Sequence, residues 1–184
     1  MPASKPTRLL VLGLGNLLCG DDGVGALAVH RLSRSYQSPS GVSILDGGTL
    51  GLSLLPYLED AQQAILVDAV RADQPAGSFI RLEGEAVGPA VEARLSVHQV
   101  GVADLLQGAH WRQRYPDRLI LLGLVPQTVE LGLGLSPAVA AALPSLVERI
   151  VIEARGLGCI LRPRVVHEGS TVPSPGDVAA VYGL

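Results

Sequence analysis

Four side chains in this sequence are placed where they could do chemistry. Asp22 follows a glycine-rich segment near the start of the chain, Asp46 and Asp68 each follow a short apolar run, and His98 lies in Ser96-Val-His-Gln99. Asp22, Asp68 and His98 together offer two hard oxygen ligands and one borderline nitrogen, which is a donor set that zinc, nickel or a similar divalent ion accepts. The residue types therefore suggest a metal site.

Each of these residues also has an ordinary structural explanation. Asp21 or Asp22 could cap a helix, while Asp68 and the Asp46-Gly47-Gly48 segment could form turns. A histidine in the first turn of a helix is more often exposed or hydrogen-bonded than bound to metal. Because three ligands from three loops have no fixed spacing, the residues alone leave metal binding and structural roles open.

Other kinds of active site lack their motifs. A dinucleotide-binding fingerprint that starts at Gly13 would need glycine where Leu18 stands, and the neighbouring Asp21-Asp22 pair would repel a pyrophosphate. The sequence contains no Gly-x-x-x-x-Gly-Lys-Ser/Thr phosphate loop, no Gly-x-Ser-x-Gly nucleophile motif and no His-Glu-x-x-His zinc motif. If the protein is a hydrolase, the remaining candidates are carboxylates and a metal.

Strands and helices alternate in the pattern that must position these side chains. Continuous apolar runs predict buried strands, and the order favours an α/β fold: one three-layer α/β/α domain with a mostly parallel or mixed sheet. In such sheets, ligand sites form beyond the carboxyl ends of the strands, where Asp22, Asp46 and Asp68 are expected. The predicted strands span 8–13, 42–45, 64–67, 78–82 and 119–122.

Four helices are predicted, three between these strands and one after the last strand. The first spans 23–36, and Thr49 is expected to cap a short second one. Ser96 and Gln99 match a capping box that opens a helix to about residue 107. Ser136-Pro137 predicts the start of the last helix, which Pro144 should kink or divide and Gly156 should end.

Composition places the chain among folded domains. Of its 184 residues 48% are hydrophobic and 17% are charged, and the change to a proline- and glycine-rich segment predicts a domain over 1–160 and a loosely ordered tail over 161–184. A net charge of −3 without a Lys/Arg-rich run argues against nucleic acid as a partner. Two cysteines favour a reducing cytoplasm, and the lack of a long apolar stretch argues against membrane insertion.

The motifs occur in the order of a known family. Together they resemble those of hydrogenase maturation proteases over roughly residues 8–154, and each motif is short, but their shared order is specific. The matching segments are Gly13-x-Gly15-Asn16 through Asp21-Asp22-Gly23-x-Gly25, Asp46-Gly47-Gly48-Thr49 with Gly51, Val67-Asp68-Ala69, Ser96-x-His98-Gln99, and Gly123-x-x-Pro126 with the stretch 131–144.

The resemblance implies an endopeptidase that removes the C-terminal extension of a nickel-loaded hydrogenase large-subunit precursor. It implies Asp22, Asp68 and His98 as metal ligands, although the first ligand is glutamate in some members and the shorter Asp22 stands here. Nickel would arrive with the substrate, and we expect zinc or cadmium to substitute for it in vitro. Asp22 or Asp46 is the expected catalytic carboxylate.

The resemblance assigns substrate recognition to the second motif, which comprises Asp46, Gly47, Gly48 and Thr49. Two other functions remain open on these residues. The same ligands would serve a non-catalytic chaperone that senses nickel without cutting, and a nucleotide-binding enzyme could use a similar α/β scaffold.

Overall fold

The computed structural model describes residues 7–92 and 100–164, with the backbone alone described at residues 92, 100 and 101. A five-stranded sheet in the order β3-β1-β4-β6-β5 forms the centre of the fold, and β5 is its antiparallel strand. The sheet is therefore mixed, as predicted. Its strands are β1 (Thr7–Leu14), β3 (Val42–Gly48), β4 (Ala61–Ala69), β5 (Phe79–Glu83) and β6 (Arg118–Leu124), and the short β2 (Tyr36–Gln37) pairs with β7 (Arg162–Pro163).

Helices cover both faces of this sheet and enclose two hydrophobic cores. Helices α1 (Val24–Ser35) and α5 (Pro137–Gly156) bury residues such as Leu27 and Leu146 against one face, which we call the α1 face. The opposite face, which we call the α4 face, buries residues such as Leu105. The α4 face is covered by α2 (Leu55–Glu59), α3 (Val87–Glu92) and α4 (Val100–Trp111). These layers confirm the predicted α/β/α arrangement.

Glycines allow α1 to approach the sheet closely at its amino end. A Cβ on Gly25 would overlap the carbonyl oxygens of Val67 and Leu14, and a Cβ on Gly13 would overlap the carbonyl oxygen of Gly25. Only glycine leaves room for backbone to contact backbone at such positions. The start of α1, and with it the segment that carries Asp22, is thereby held at the carboxyl ends of β1 and β4.

The predicted cap at Thr49 is wrong. A 3₁₀ helix over Gly51–Leu54 precedes α2, and neither that helix nor α2 has a side-chain cap. Gly48 and Gly51 both adopt positive φ, at 44° and 53°. The chain therefore turns at Gly48 and again at Gly51, where the 3₁₀ helix begins. Thr49 is exposed in that turn.

The last helix ends where it was predicted to end and is not divided by its internal proline. It runs through Pro144 without a break, because Leu143, Leu146 and further residues on both sides of the proline are buried in one core. Gly156 is its last residue, as predicted, and the turn that follows is made by Gly158, whose φ is +78°. The capping box at Ser96–Gln99 lies outside the described residues.

The first residues of the predicted tail belong to the fold. Leu161 is buried in the core, and Arg162–Pro163 forms β7. Residues 165–184 lie outside the described part of the chain, so the loose order expected there stays a prediction. None of the helices in 7–92 and 100–164 has the length and apolarity that crossing a bilayer requires.

Candidate functional site

Asp46 and Asp68 lie at the carboxyl edge of the sheet, on either side of β1. Asp46 pairs with Gly13 in β1, and Asp68 follows Val67, which pairs with the same glycine from the other side. Neighbouring strands are about 4.8 Å apart, so the two aspartate backbones are roughly 10 Å apart across β1. The strand order thus brings together two residues that are 22 positions apart in the sequence.

The two side chains nevertheless leave the sheet in opposite directions. Alternation along β4 places Asp68 with Leu66 and Val70, which belong to the core of the α4 face. Asp46 lies on the same side of β3 as Ile44 and opposite to Leu45, and its side chain contacts helix α1. Asp68 therefore faces the side of the sheet that α4 covers, whereas Asp46 faces α1.

The carboxylate of Asp46 is held at both oxygens. Oδ2 lies 3.1 Å from Nε2 of His30 on α1, and Oδ1 accepts a hydrogen bond of 3.0 Å from the backbone N–H of Gly48. Both side chains of the His30–Asp46 pair are half-buried. These contacts fix the turn at Gly47-Gly48. This turn belongs to the predicted substrate-binding segment, whose last residue, Thr49, is exposed.

Asp22 is buried beside the end of β1. Its Oδ2 accepts a hydrogen bond of 2.7 Å from the backbone N–H of Asn16. Gly15 makes this approach possible, because it adopts φ of +113° and any Cβ there would overlap the carbonyl oxygen of Asp22. Asp22 does not cap α1, whose N-cap position is Gly23 without a side-chain cap.

Asp21 has a different, structural role. Its carboxylate, which is fully buried, accepts hydrogen bonds from the backbone N–H groups of Gln127, Thr128 and Ser136 at 2.8, 3.2 and 2.6 Å, and from the Ser136 hydroxyl at 2.8 Å. Asp21 therefore fastens the loop between β6 and α5 to the segment that carries Asp22. Of the two adjacent aspartates, Asp21 builds the edge, and a chemical role for Asp22 stays a prediction.

Asp68 is more deeply buried than Asp22. It is fully buried, and its Oδ1 accepts a hydrogen bond of 2.7 Å from the N–H of Ala69. Gly123 on β6 passes so close to its backbone that a Cβ would overlap the Asp68 carbonyl oxygen. Within 7–92 and 100–164, no three His, Cys, Asp or Glu residues form a group that could hold a metal. His98 lies outside the described residues, so the set of Asp22, Asp68 and His98 stays a prediction.

His30 has no acidic companion that is obvious from the sequence, but in the fold Asp46 is its partner. The strand order explains this contact, because α1 connects β1 to the adjacent β3 and so covers the face on which Asp46 projects. Ser136 stands at the N-cap position of α5, in agreement with the predicted helix start, but its hydroxyl donates to Asp21 and does not cap the helix.

A model of the hydrogenase maturation protease family matches residues 27–153 of this chain. The chain belongs to the hydrogenase maturation protease family. The hydrogenase 2 maturation protease of Escherichia coli K12 is 34% identical over 163 residues, which cover 88% of this chain and 99% of that protein. The hydrogenase expression/formation protein HupD of Rhodobacter capsulatus is 39% identical over 160 residues, or 86% of this chain and 76% of that protein.

Solved structures agree with the assignment. The hydrogenase-maturating endopeptidase HybD of E. coli superposes with a TM-score of 0.82 at 34% identity, covering 86% of this chain and 98% of that one. The predicted family, fold class and enzyme class, a peptidase of the endopeptidase type, are thereby confirmed. The family match contains Asp46, Asp68 and His98 and begins at residue 27, after Asp22.

Proposed function

We propose that this protease cuts the C-terminal extension from a hydrogenase large-subunit precursor that already carries nickel. The observation that carries the proposal is the burial of two carboxylates, Asp22 and Asp68, at the carboxyl edge of a sheet in a chain that belongs to this family. Buried carboxylates suit an ion-binding role, because a divalent cation offsets the cost of removing their charge from water.

In this proposal, nickel is part of the substrate. Asp22 and Asp68 supply oxygen ligands, and His98, which comes two residues before α4 in the sequence, supplies a nitrogen. This mixed set suits nickel and, in vitro, zinc or cadmium. A precursor without nickel would lack the group that these ligands recognise, so processing would follow metal loading. We place the reaction in the cytoplasm.

Hydrolysis adds water across one peptide bond and yields a new carboxyl end and a released peptide. A carboxylate can take the proton from the attacking water, and we assign this role to Asp22 or Asp46. We assign binding of the precursor backbone to the turn formed by Asp46, Gly47, Gly48 and Thr49. This turn is held by a hydrogen bond and ends at an exposed residue.

The test is the mass of the precursor before and after incubation with the enzyme. We expect release of one peptide from the nickel-loaded precursor and none from the nickel-free form. Asp22→Asn, Asp68→Asn and His98→Ala should each lower kcat/KM by at least about 100-fold, the upper end of the loss seen when a supporting partner of a metal ligand is removed. Asp104→Asn, at an exposed carboxylate on α4, is the matched control.

Three outcomes would contradict parts of the proposal. Equal cleavage of nickel-free and nickel-loaded precursor would show that the enzyme does not recognise nickel. Tight binding of nickel-loaded precursor without any change in mass would indicate a nickel-sensing chaperone instead. Full activity of Asp22→Asn and Asp68→Asn would show that the two carboxylates are not the ligands.

A further inference from the structure

Large hydrophobic side chains remain exposed at the same edge of the sheet as Asp22. Leu131 is 88% exposed, Leu133 75%, Leu18 55% and Val129 36%. Leu18 lies in the segment between β1 and Asp22, and the other three lie in the loop between β6 and α5. We call these four side chains the apolar rim. Contiguous exposed apolar groups on a folded protein mark interaction sites more often than isolated ones do.

The apolar rim is built on a fixed backbone. Gly132 donates its N–H to the carbonyl oxygen of Leu18 at 2.9 Å, and Gly20 donates to the carbonyl oxygen of Gly132 at 2.8 Å. Cys19 and Gly132 form a parallel β-bridge at this place. The hydrogen bonds of Asp21 to Gln127, Thr128 and Ser136 fasten both ends of the loop. The leucines are thus presented by an ordered scaffold and do not sit on a loose connection.

We infer that the apolar rim docks an apolar segment of the hydrogenase precursor beside the cleavage site. This inference rests on the proposed function, because it assumes that the precursor reaches Asp22. The argument is continuity: one backbone network carries Leu18, Asp21 and Asp22, so a protein chain seated at Asp22 lies beside the segment that presents the rim. Binding energy from such remote contacts contributes to turnover as well as to affinity.

A second copy of this chain is a less suitable occupant. A stable protein dimer buries about 800 Å² on each partner. Three leucines and one valine cover only part of such an area, which is enough for an extended segment of a substrate. The edge also carries buried carboxylates within a few residues of the rim, and these would serve no purpose in a contact between two copies.

The test compares cleavage of nickel-loaded precursor by the full-length wild type and by Leu131→Ser/Leu133→Ser. Both leucines are exposed, so melting temperature should be retained within about 2 °C. We expect kcat/KM to fall at least tenfold, through kcat as well as KM, because the lost apolar contact is remote from the reacting bond. Leu131→Met/Leu133→Met should restore most of the activity, since methionine keeps the apolar contact.

Ile152→Ser is the matched control. Ile152 is 61% exposed on α5, about 22 Å along the helix axis from the end that adjoins the rim. This variant should process the precursor at the wild-type rate. An equal loss of kcat/KM in Ile152→Ser would overturn the inference, because the effect would then belong to exposed hydrophobic residues in general.

The outcomes separate the inference from the proposed function. A wild type that leaves the precursor uncut contradicts the proposed function itself. Normal cleavage by both the wild type and the serine variant overturns only the inference that the apolar rim docks the precursor. Conversion of a wild-type dimer to a monomer with unchanged cleavage, measured by sedimentation, would assign the rim to a second copy and also overturn the inference.

Discussion

The imidazole Nε2 of His30 lies 3.1 Å from Oδ2 of Asp46, and this contact joins helix α1 to the end of the edge strand β3. The second carboxylate oxygen of Asp46 accepts a hydrogen bond from the N–H of Gly48. The carboxylate is thereby oriented by one side chain and one backbone group. His30 is a positioning residue for Asp46, and through Asp46 it acts on the Gly47-Gly48 turn.

Replacing His30 by alanine should therefore impair processing more than stability. We expect His30→Ala to lower kcat/KM by about tenfold, because a freed carboxylate no longer holds one geometry and small misplacements near a reaction centre are costly. The pair is half-buried, so its loss should cost only about 1 kcal/mol in the free energy of unfolding. Initial rates of precursor cleavage and a thermal melt measure the two effects.

His30→Gln and Arg34→Ala are the comparison variants for this prediction. Glutamine keeps a donor that can reach Asp46 and should recover part of the lost activity. Arg34 is exposed at the end of the same helix, so its replacement should leave cleavage unchanged. If His30→Ala cleaved as fast as the wild type, Asp46 would need no orientation from α1.

Asp21 should control stability, in contrast to its neighbour. Asp21→Asn replaces an acceptor oxygen with a donor and removes the charge that strengthens four hydrogen bonds to the loop between β6 and α5. We expect the free energy of unfolding to fall by about 2 to 3 kcal/mol. Denaturant melts followed by circular dichroism provide the measurement.

The matched variant for Asp21→Asn is Asp22→Asn. Asp22 accepts the N–H of Asn16 through one oxygen, and asparagine can keep that bond with its carbonyl. Asp22→Asn should therefore unfold within about 1 kcal/mol of the wild type while losing cleavage. A larger loss of stability in Asp22→Asn than in Asp21→Asn would reverse the roles assigned to the two aspartates.

The position of the candidate site along the chain could be predicted from sequence. Apolar runs located the main strands to within a few residues, and the polar residues that follow β1, β3 and β4 lie at one edge because parallel strands end together. Which face each side chain takes could not be predicted, because this depends on register. Asp46 pairs with Gly13 and projects to α1, while Asp68 projects to the opposite core.

The contacts of Asp21 were beyond sequence reasoning for a related reason. Its partners Gln127, Thr128 and Ser136 are more than 100 positions away, and three of its four hydrogen bonds come from backbone groups whose residue type is not decisive. An aspartate before a helix is ordinarily interpreted as a cap. Only the contact between the two loops at the sheet edge shows that Asp21 joins these loops and does not cap the helix.

The pairing of β5 with β6 should depend on pH through Glu83. Hydrogen bonds from Arg118 and then Arg81 lower the pKa of Glu83 below its ordinary value of 4.5. The folded state therefore holds this proton less tightly than the unfolded chain does. The resulting stability is present above about pH 4.5 and is lost as the pH falls through the folded-state pKa.

Glu83→Gln tests this dependence. The ion pairs are partly exposed, so the variant should lose less than about 1 kcal/mol at pH 7. Its stability should approach that of the wild type as the pH falls below the folded-state pKa of Glu83, where both side chains are uncharged. Added salt at pH 7 should reduce the difference by screening. A difference that is constant from pH 7 to pH 3 would mean that charge is not its cause.

Substitution at Gly25 should separate close packing from helix propensity. Alanine favours helices over glycine by up to about 1 kcal/mol, yet the new methyl group of Gly25→Ala would overlap the carbonyl oxygens of Val67 and Leu14. Backbone atoms of a central sheet cannot move aside cheaply, so we expect a net loss of about 3 kcal/mol in the free energy of unfolding. Gly156→Ala, where a Cβ meets nothing within 4 Å, should instead gain about 0.5 kcal/mol. Equal stability of the two variants in denaturant melts would show that α1 can withdraw from the strand ends, and Asp22 would then not be held in place by this contact.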